Sequence, residues 1–113
     1  MRINTLNIAI SVLISALVAY GFWCIGGGLA KYLAVGSFLY LSGTLAPAIG
    51  LSSANARVAV NQKAISGLFF LVGLAINAVF ALFASSSVIY ILLSAISYLI
   101  FIVIINTLQN LAN

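Results

Sequence analysis

Residues 51–64, LSSANARVAVNQKA, form the one polar stretch wide enough to divide an otherwise apolar chain. Arg57 and Lys63 lie in it, half of the four Lys and Arg residues of the sequence. On either side, two long apolar segments flank a tight small-residue turn, Gly26–Gly28 in the first half and Ser85–Ser87 in the second. Together these features predict an all-α integral membrane protein, with four transmembrane helices arranged as two helical hairpins. The expected organisation is a single membrane domain over 1–113: a hairpin over 1–50, a basic connector over 51–64 and a second hairpin over 65–113.

Composition points the same way. The chain is 65% hydrophobic and 4% charged, whereas soluble domains carry roughly 25% charged residues and need them to cover a globule in water. Its charge is one-sided: Arg2, Lys31, Arg57 and Lys63 are present, with no Asp, Glu or His. Those cations are scattered singly and form no basic stripe, so no nucleic-acid partner is expected. The single cysteine, Cys24, has no partner in the sequence for a disulfide and no Cys/His motif for a metal, so no cofactor is expected.

The first apolar segment, Leu6–Ile25, has about the twenty residues that cross a hydrocarbon core. Following Arg2, it has some features of a secretory signal peptide. However, Tyr20, Gly21, Phe22 and Trp23 carry the apolar run past the weak cleavage site at Ala19, so retention is expected. Gly26–Gly28 frees the backbone to reverse, making the flanking helices antiparallel neighbours. The second segment, Leu33–Leu51, contains Gly43 and Pro47. Proline donates no backbone hydrogen bond and crowds the carbonyl four residues earlier, that of Gly43, so a kink or broken turn is expected there. Ile65–Ala84 and Val88–Ile105 are the third and fourth segments, followed by an amide-rich tail, 106–113, expected to end as a frayed helical turn at the interface. A shift of 60 residues lays Tyr20 on Phe80, Trp23 on Phe83 and Ser37-Phe38-Leu39 on Ser97-Tyr98-Leu99, as a parallel duplication of the hairpin would.

Cytoplasmic loops collect Lys and Arg, and four spans put both termini and the central connector on one side. Arg2, Arg57 and Lys63 then face the cytoplasm, with Lys31 as the exception. Trp23, Tyr32 and Tyr90 gather near the two tight turns, as an interfacial belt on the far side requires.

Lipid tails are as apolar as leucine, so helices associate in a bilayer through close packing of small residues and through polar groups that need partners. Candidate packing faces recur at four-residue spacing: Ser11, Ser15 and Ala19; Ser42, Ala46 and Gly50; Gly73, Asn77, Ala81 and Ser85. Ser94, Ser97 and Tyr98 share a face of the fourth segment, and Asn77, mid-span, is expected to form an interhelical hydrogen bond. Lys31, Arg57 and Lys63 are candidate contacts for lipid phosphates or other anions, with membrane lipids as expected partners. Snorkelling to the interface is the plainer role for Lys31.

General acid and base chemistry draws mainly on His, Asp, Glu, Lys, Cys or Tyr, and the first three are missing altogether. No catalytic triad can be assembled. Gly26–Gly28 lacks the Lys-Ser/Thr that follows the glycines of a phosphate loop. The four-span outline resembles that of small multidrug transporters in span number alone, because this chain has no intramembrane acid to exchange a proton. In character it resembles conjugative pilins and the hydrophobic coat proteins of enveloped viruses, which pair apolar helices around short, sparsely charged loops. Here four segments replace their usual two and no motif is shared. The expected function is that of a non-enzymatic structural or assembly subunit, a homo-oligomer or the partner of a larger membrane protein. The alternatives are an immunity or inhibitor protein acting on a toxin or phage component within the bilayer, and a small channel or carrier not coupled to protons through a carboxylate.

Overall fold

The computed structural model describes residues 2–25, 27–52, 56–83 and 86–112. The expected reversals at Gly26–Gly28 and Ser85–Ser87 lie partly outside these residues, as does the middle of the polar stretch. Four helices account for nearly all the rest: α1 (Thr5–Ile25), α2 (Ala30–Gly50), α3 (Ala56–Leu82) and α4 (Ser87–Ala112). Each is long and apolar enough to cross a membrane. A 3-10 turn, Gly27–Leu29, leads into α2.

Two helices extend beyond the apolar segments. α3 begins at Ala56, so residues 56–64 of the expected connector are helical, and α4 runs through the expected fraying tail to Ala112. The added turns are rich in Ala, Arg, Gln, Lys, Asn and Leu, several of them strong helix formers, and hydrophobicity alone does not reveal them. At 1.5 Å per residue α1 and α2 are each about 31 Å long, close to the thickness of a hydrocarbon core, and α3 and α4 about 40 Å.

α1 packs along α2, α2 along α3 and α3 along α4, with smaller contacts between α2 and α4 and between α1 and α3. The register is antiparallel at each step: Ile8 meets Gly50, Tyr40 meets Gly73, and Asn77 meets Tyr90. Among the described residues α1 and α4 share at most marginal contact. The result is a flattened array, 45 × 26 × 14 Å, with α2 the most buried helix and α4 the least.

Two short strands, β1 (Arg2–Ile3) and β2 (Leu51–Ser52), pair antiparallel with Arg2 opposite Ser52 and Ile3 opposite Leu51. This clasp fastens the start of α1 to the end of α2. Asn4 caps α1 in the way asparagine favours, its Oδ1 accepting the Asn7 N–H at 3.1 Å. Ser86 does the same for α4, its Oγ accepting the Ile89 N–H at 3.3 Å.

Buried polar residues sit beside an apolar core, and large apolar side chains cover much of the outer surface. Among the described residues Ser11, Ser15, Ser37, Thr44, Gln62, Ser66 and Asn77 are 0–1% exposed, whereas Leu13, Leu17, Leu71, Phe83 and Val103 are each more than 60% exposed. Leu29, Leu33, Phe80 and Tyr90 form an apolar cluster, with Phe22, Ile76 and Ala81 against it.

Candidate functional site

The interior polar groups form a belt that ties the helices together, built in two places. The first is the end shared by the α1 N-terminus and the α2 C-terminus. The last four carbonyls of a helix have no intrahelical partner, and in α2 three of these, on Pro47, Ile49 and Gly50, are taken by neighbouring segments. Gly50 O accepts the Asn4 backbone N–H at 2.7 Å, Ile49 O accepts the Asn7 Nδ2 amide at 2.7 Å, and Pro47 O accepts Gln62 Nε2 from α3 at 3.4 Å. Gln62 Oε1 in turn accepts Gln109 Nε2 from α4. All four helices are thereby linked at one end through amide groups. α2 carries through Pro47 and ends three residues later, so the N–H missing at 47 concerns only the Gly43 carbonyl one turn back.

The second place is nearer the other end, within about two turns of where α3 stops and α4 starts; Asn77, expected mid-span, lies there. Asn77, 1% exposed on α3, accepts the Tyr90 hydroxyl of α4 on Oδ1 at 2.6 Å and donates through Nδ2 to the Gly73 carbonyl at 2.7 Å. Phe80 and Tyr90 rings lie 5.4 Å apart, and a chain of tilted rings continues along α4 from Tyr98 (5.6 Å from Tyr40) to Phe101 (5.7 Å from Tyr98, 5.4 Å from Phe69). These spacings suit edge-to-face packing.

Glycines make this close approach possible. A Cβ at Gly36 would overlap the Tyr90 hydroxyl, one at Gly43 the Tyr98 hydroxyl, one at Gly50 the Ile8 side chain and one at Gly73 the Tyr40 ring. Gly43, expected as part of a kink, is therefore a seat for a tyrosine.

The predicted packing faces fall as follows. Ser11, Ser15 and Ala19 are the buried residues of α1. On α2 Gly50 is buried and Ser42 and Ala46 are half-buried, while on α3 Gly73 and Asn77 are buried and Ala81 is half-buried. Ser85 lies outside the described residues. Ser11, Ser37, Ser42 and Thr44 return their hydroxyls to carbonyls three or four residues back in their own helices. The hydroxyls of Ser15 and Ser66 are buried without a partner among the described residues, and that of Tyr40 lies near Ser97, short of a well-formed hydrogen bond.

Asn4, Asn7, Gln62 and Gln109 were not among the candidates from sequence. Asn4, Gln62 and Gln109 are isolated amides outside the apolar runs, where a loop or tail would also hold them, and Asn7 lies one residue inside the first run. The candidate anion contacts do not converge: Lys31, Arg57 and Lys63 are all exposed, Lys31 at the start of α2 and the other two in the first turns of α3, at the opposite end of the array. Lys31 borders a groove of about 730 Å³ between α2 and α4, lined by Tyr32, Val35, Gly36, Leu39 and Tyr40 on one side and Tyr90, Ile91, Ser94, Ala95 and Tyr98 on the other. Comparison of the chain with protein-family models, with curated proteins and with solved structures finds no match in any of the three.

Proposed function

We propose that this chain is a non-enzymatic structural or assembly subunit of a membrane, inserted as two helical hairpins with both termini on the cytoplasmic side, which packs against copies of itself or a larger membrane partner. One observation carries this: the four helices form an open, flattened array whose edge helices, α1 and α4, do not close on each other. A lone up-and-down bundle brings its first and last helices together. Here each edge helix has its main neighbour on one side only, and α4 leaves most of its surface outward.

The many exposed large apolar side chains support insertion. In hydrocarbon each unsatisfied polar group costs several kcal/mol, so amides and hydroxyls turn inward while the outer surface can be apolar. Asn77, a polar group that would suit a solute path, favours packing over transport, because both ends of its amide are used. Arg57 and Lys63 share one end of the array and Lys31 stands at the other, so the majority of these cations sets the cytoplasmic side.

Two measurements test this. With Cys24 replaced by serine, Val60→Cys is expected to react with an impermeant maleimide from the opposite face of sealed vesicles to Gly28→Cys and Ser86→Cys. Labelling of all three from one face would refute the four-span layout. Stepwise photobleaching of the labelled chain in liposomes at low protein density is expected to show two or more steps per spot. Uniform single steps, with no partner recovered from native membranes by mild-detergent purification, would end the assembly reading.

A further inference from the structure

We infer that the groove between α2 and α4 holds an acyl chain of an anionic phospholipid, with the phosphate at Lys31. This rests on membrane insertion but is independent of self-association. The lining residues of α2 recur at positions 31, 32, 35, 36, 39 and 40, and those of α4 at 90, 91, 94, 95 and 98, so each helix gives one continuous face to the groove. Gly36, Ser94 and Ala95 are the small residues along its middle, and Leu39, Tyr40 and Tyr98 line the part farthest from Lys31.

Length and charge select the occupant. From Lys31 to Tyr40 the groove runs about 13 Å along the helix, roughly half of a hydrocarbon core of about 30 Å, which is the depth of one leaflet. A solute crossing the membrane would need a path through both halves, whereas a lipid tail needs only one. At the open end Lys31 stands in the first turn of α2, where the positive end of the helix dipole also lies. The sequence contains no Asp or Glu, so no side chain of this protein competes for that charge. An anion from outside the chain complements it, and in a leaflet the anion already attached to an acyl chain is a phospholipid headgroup. Tyr32, exposed beside Lys31, also borders the groove, and tyrosine favours the headgroup level.

The test uses the full-length protein in mild detergent with an equimolar mixture of phosphatidylglycerol and phosphatidylcholine of identical acyl chains, read by native mass spectrometry. The wild type is expected to retain phosphatidylglycerol preferentially. Lys31→Gln should lower that preference about fivefold, as expected for one lysine near an anionic headgroup. Ala95→Leu, an exposed position that fills the groove, should lower retention of both lipids, and Lys63→Gln at the opposite end should change neither. Equal retention of the two lipids by the wild type, or an unchanged preference in Lys31→Gln, overturns the assignment. Sedimentation of the same variants with carbonate-washed membranes separates the two ideas. Loss of the chain from the membrane pellet overturns insertion and groove together, whereas an inserted chain with no lipid preference overturns the groove alone.

Discussion

Gly73→Ala is expected to destabilise the packed helices by about 1–3 kcal/mol, the usual cost of forcing an extra methyl into a filled core. The new Cβ would fall on the Tyr40 ring and within 3.1 Å of a Leu41 methyl. Neither neighbour can yield easily, since Tyr40 is 4% exposed and Leu41 0%. The ring is also held against Tyr98. Six residues earlier on the same helix, Gly67 has nothing within 4 Å of the equivalent position. Gly67→Ala is therefore expected to be neutral or to gain up to about 1 kcal/mol, because alanine loses less backbone freedom than glycine in a helix. Denaturation in mixed SDS micelles, followed by energy transfer between labels on α2 and α3, measures both. Removing the ring should undo the effect: in a Tyr40→Leu background the further cost of Gly73→Ala should largely disappear. Equal effects at 67 and 73, or no relief by Tyr40→Leu, would show that α2 and α3 do not meet as described.

The second large effect belongs to Asn77. Asn77→Leu should cost about 1–3 kcal/mol, because it strands the Tyr90 hydroxyl in an apolar cluster, and a buried polar group left unpaired carries its full desolvation penalty. Tyr90→Phe should cost less, since the asparagine retains its bond to Gly73. The double-mutant cycle isolates the interhelical bond, with a coupling near 0.6 kcal/mol and at most about 1.7, as membrane proteins show. A coupling of zero with normal single-mutant costs would mean that Asn77 acts only within its own helix. The same cycle on Gln62 and Gln109 would ask whether the amide link at the other end contributes similarly.

Much of the architecture is legible in the residues alone, for a simple reason. Carbonyl and amide groups of the backbone must pair internally wherever water is missing, so a run of about twenty apolar residues has few options besides a helix. Leu6–Ile25 matches α1 to within one residue, and the inward faces Ser11, Ser15, Ala19 and Gly73, Asn77 follow from four-residue spacing. Helix ends were harder to read. Residues 56–64 and 106–112 are polar enough to pass for loops, yet they continue α3 and α4, because Gln62 and Gln109 find each other across the array and help to make those turns worth forming.

Composition and spacing by themselves determined that the chain is helical, that its helices can cross a membrane, and which faces of α1 and α3 turn inward, since these depend only on local periodicity and on the scarcity of charge. Tertiary structure decided the rest: that the α2 C-terminal carbonyls are capped by α1 and α3, that Gly36 and Gly43 seat Tyr90 and Tyr98, and that α1 and α4 stay apart. Those outcomes join residues tens of positions apart. Side-chain shape and the pairing of buried polar groups select among many arrangements that the same hydrophobic pattern allows.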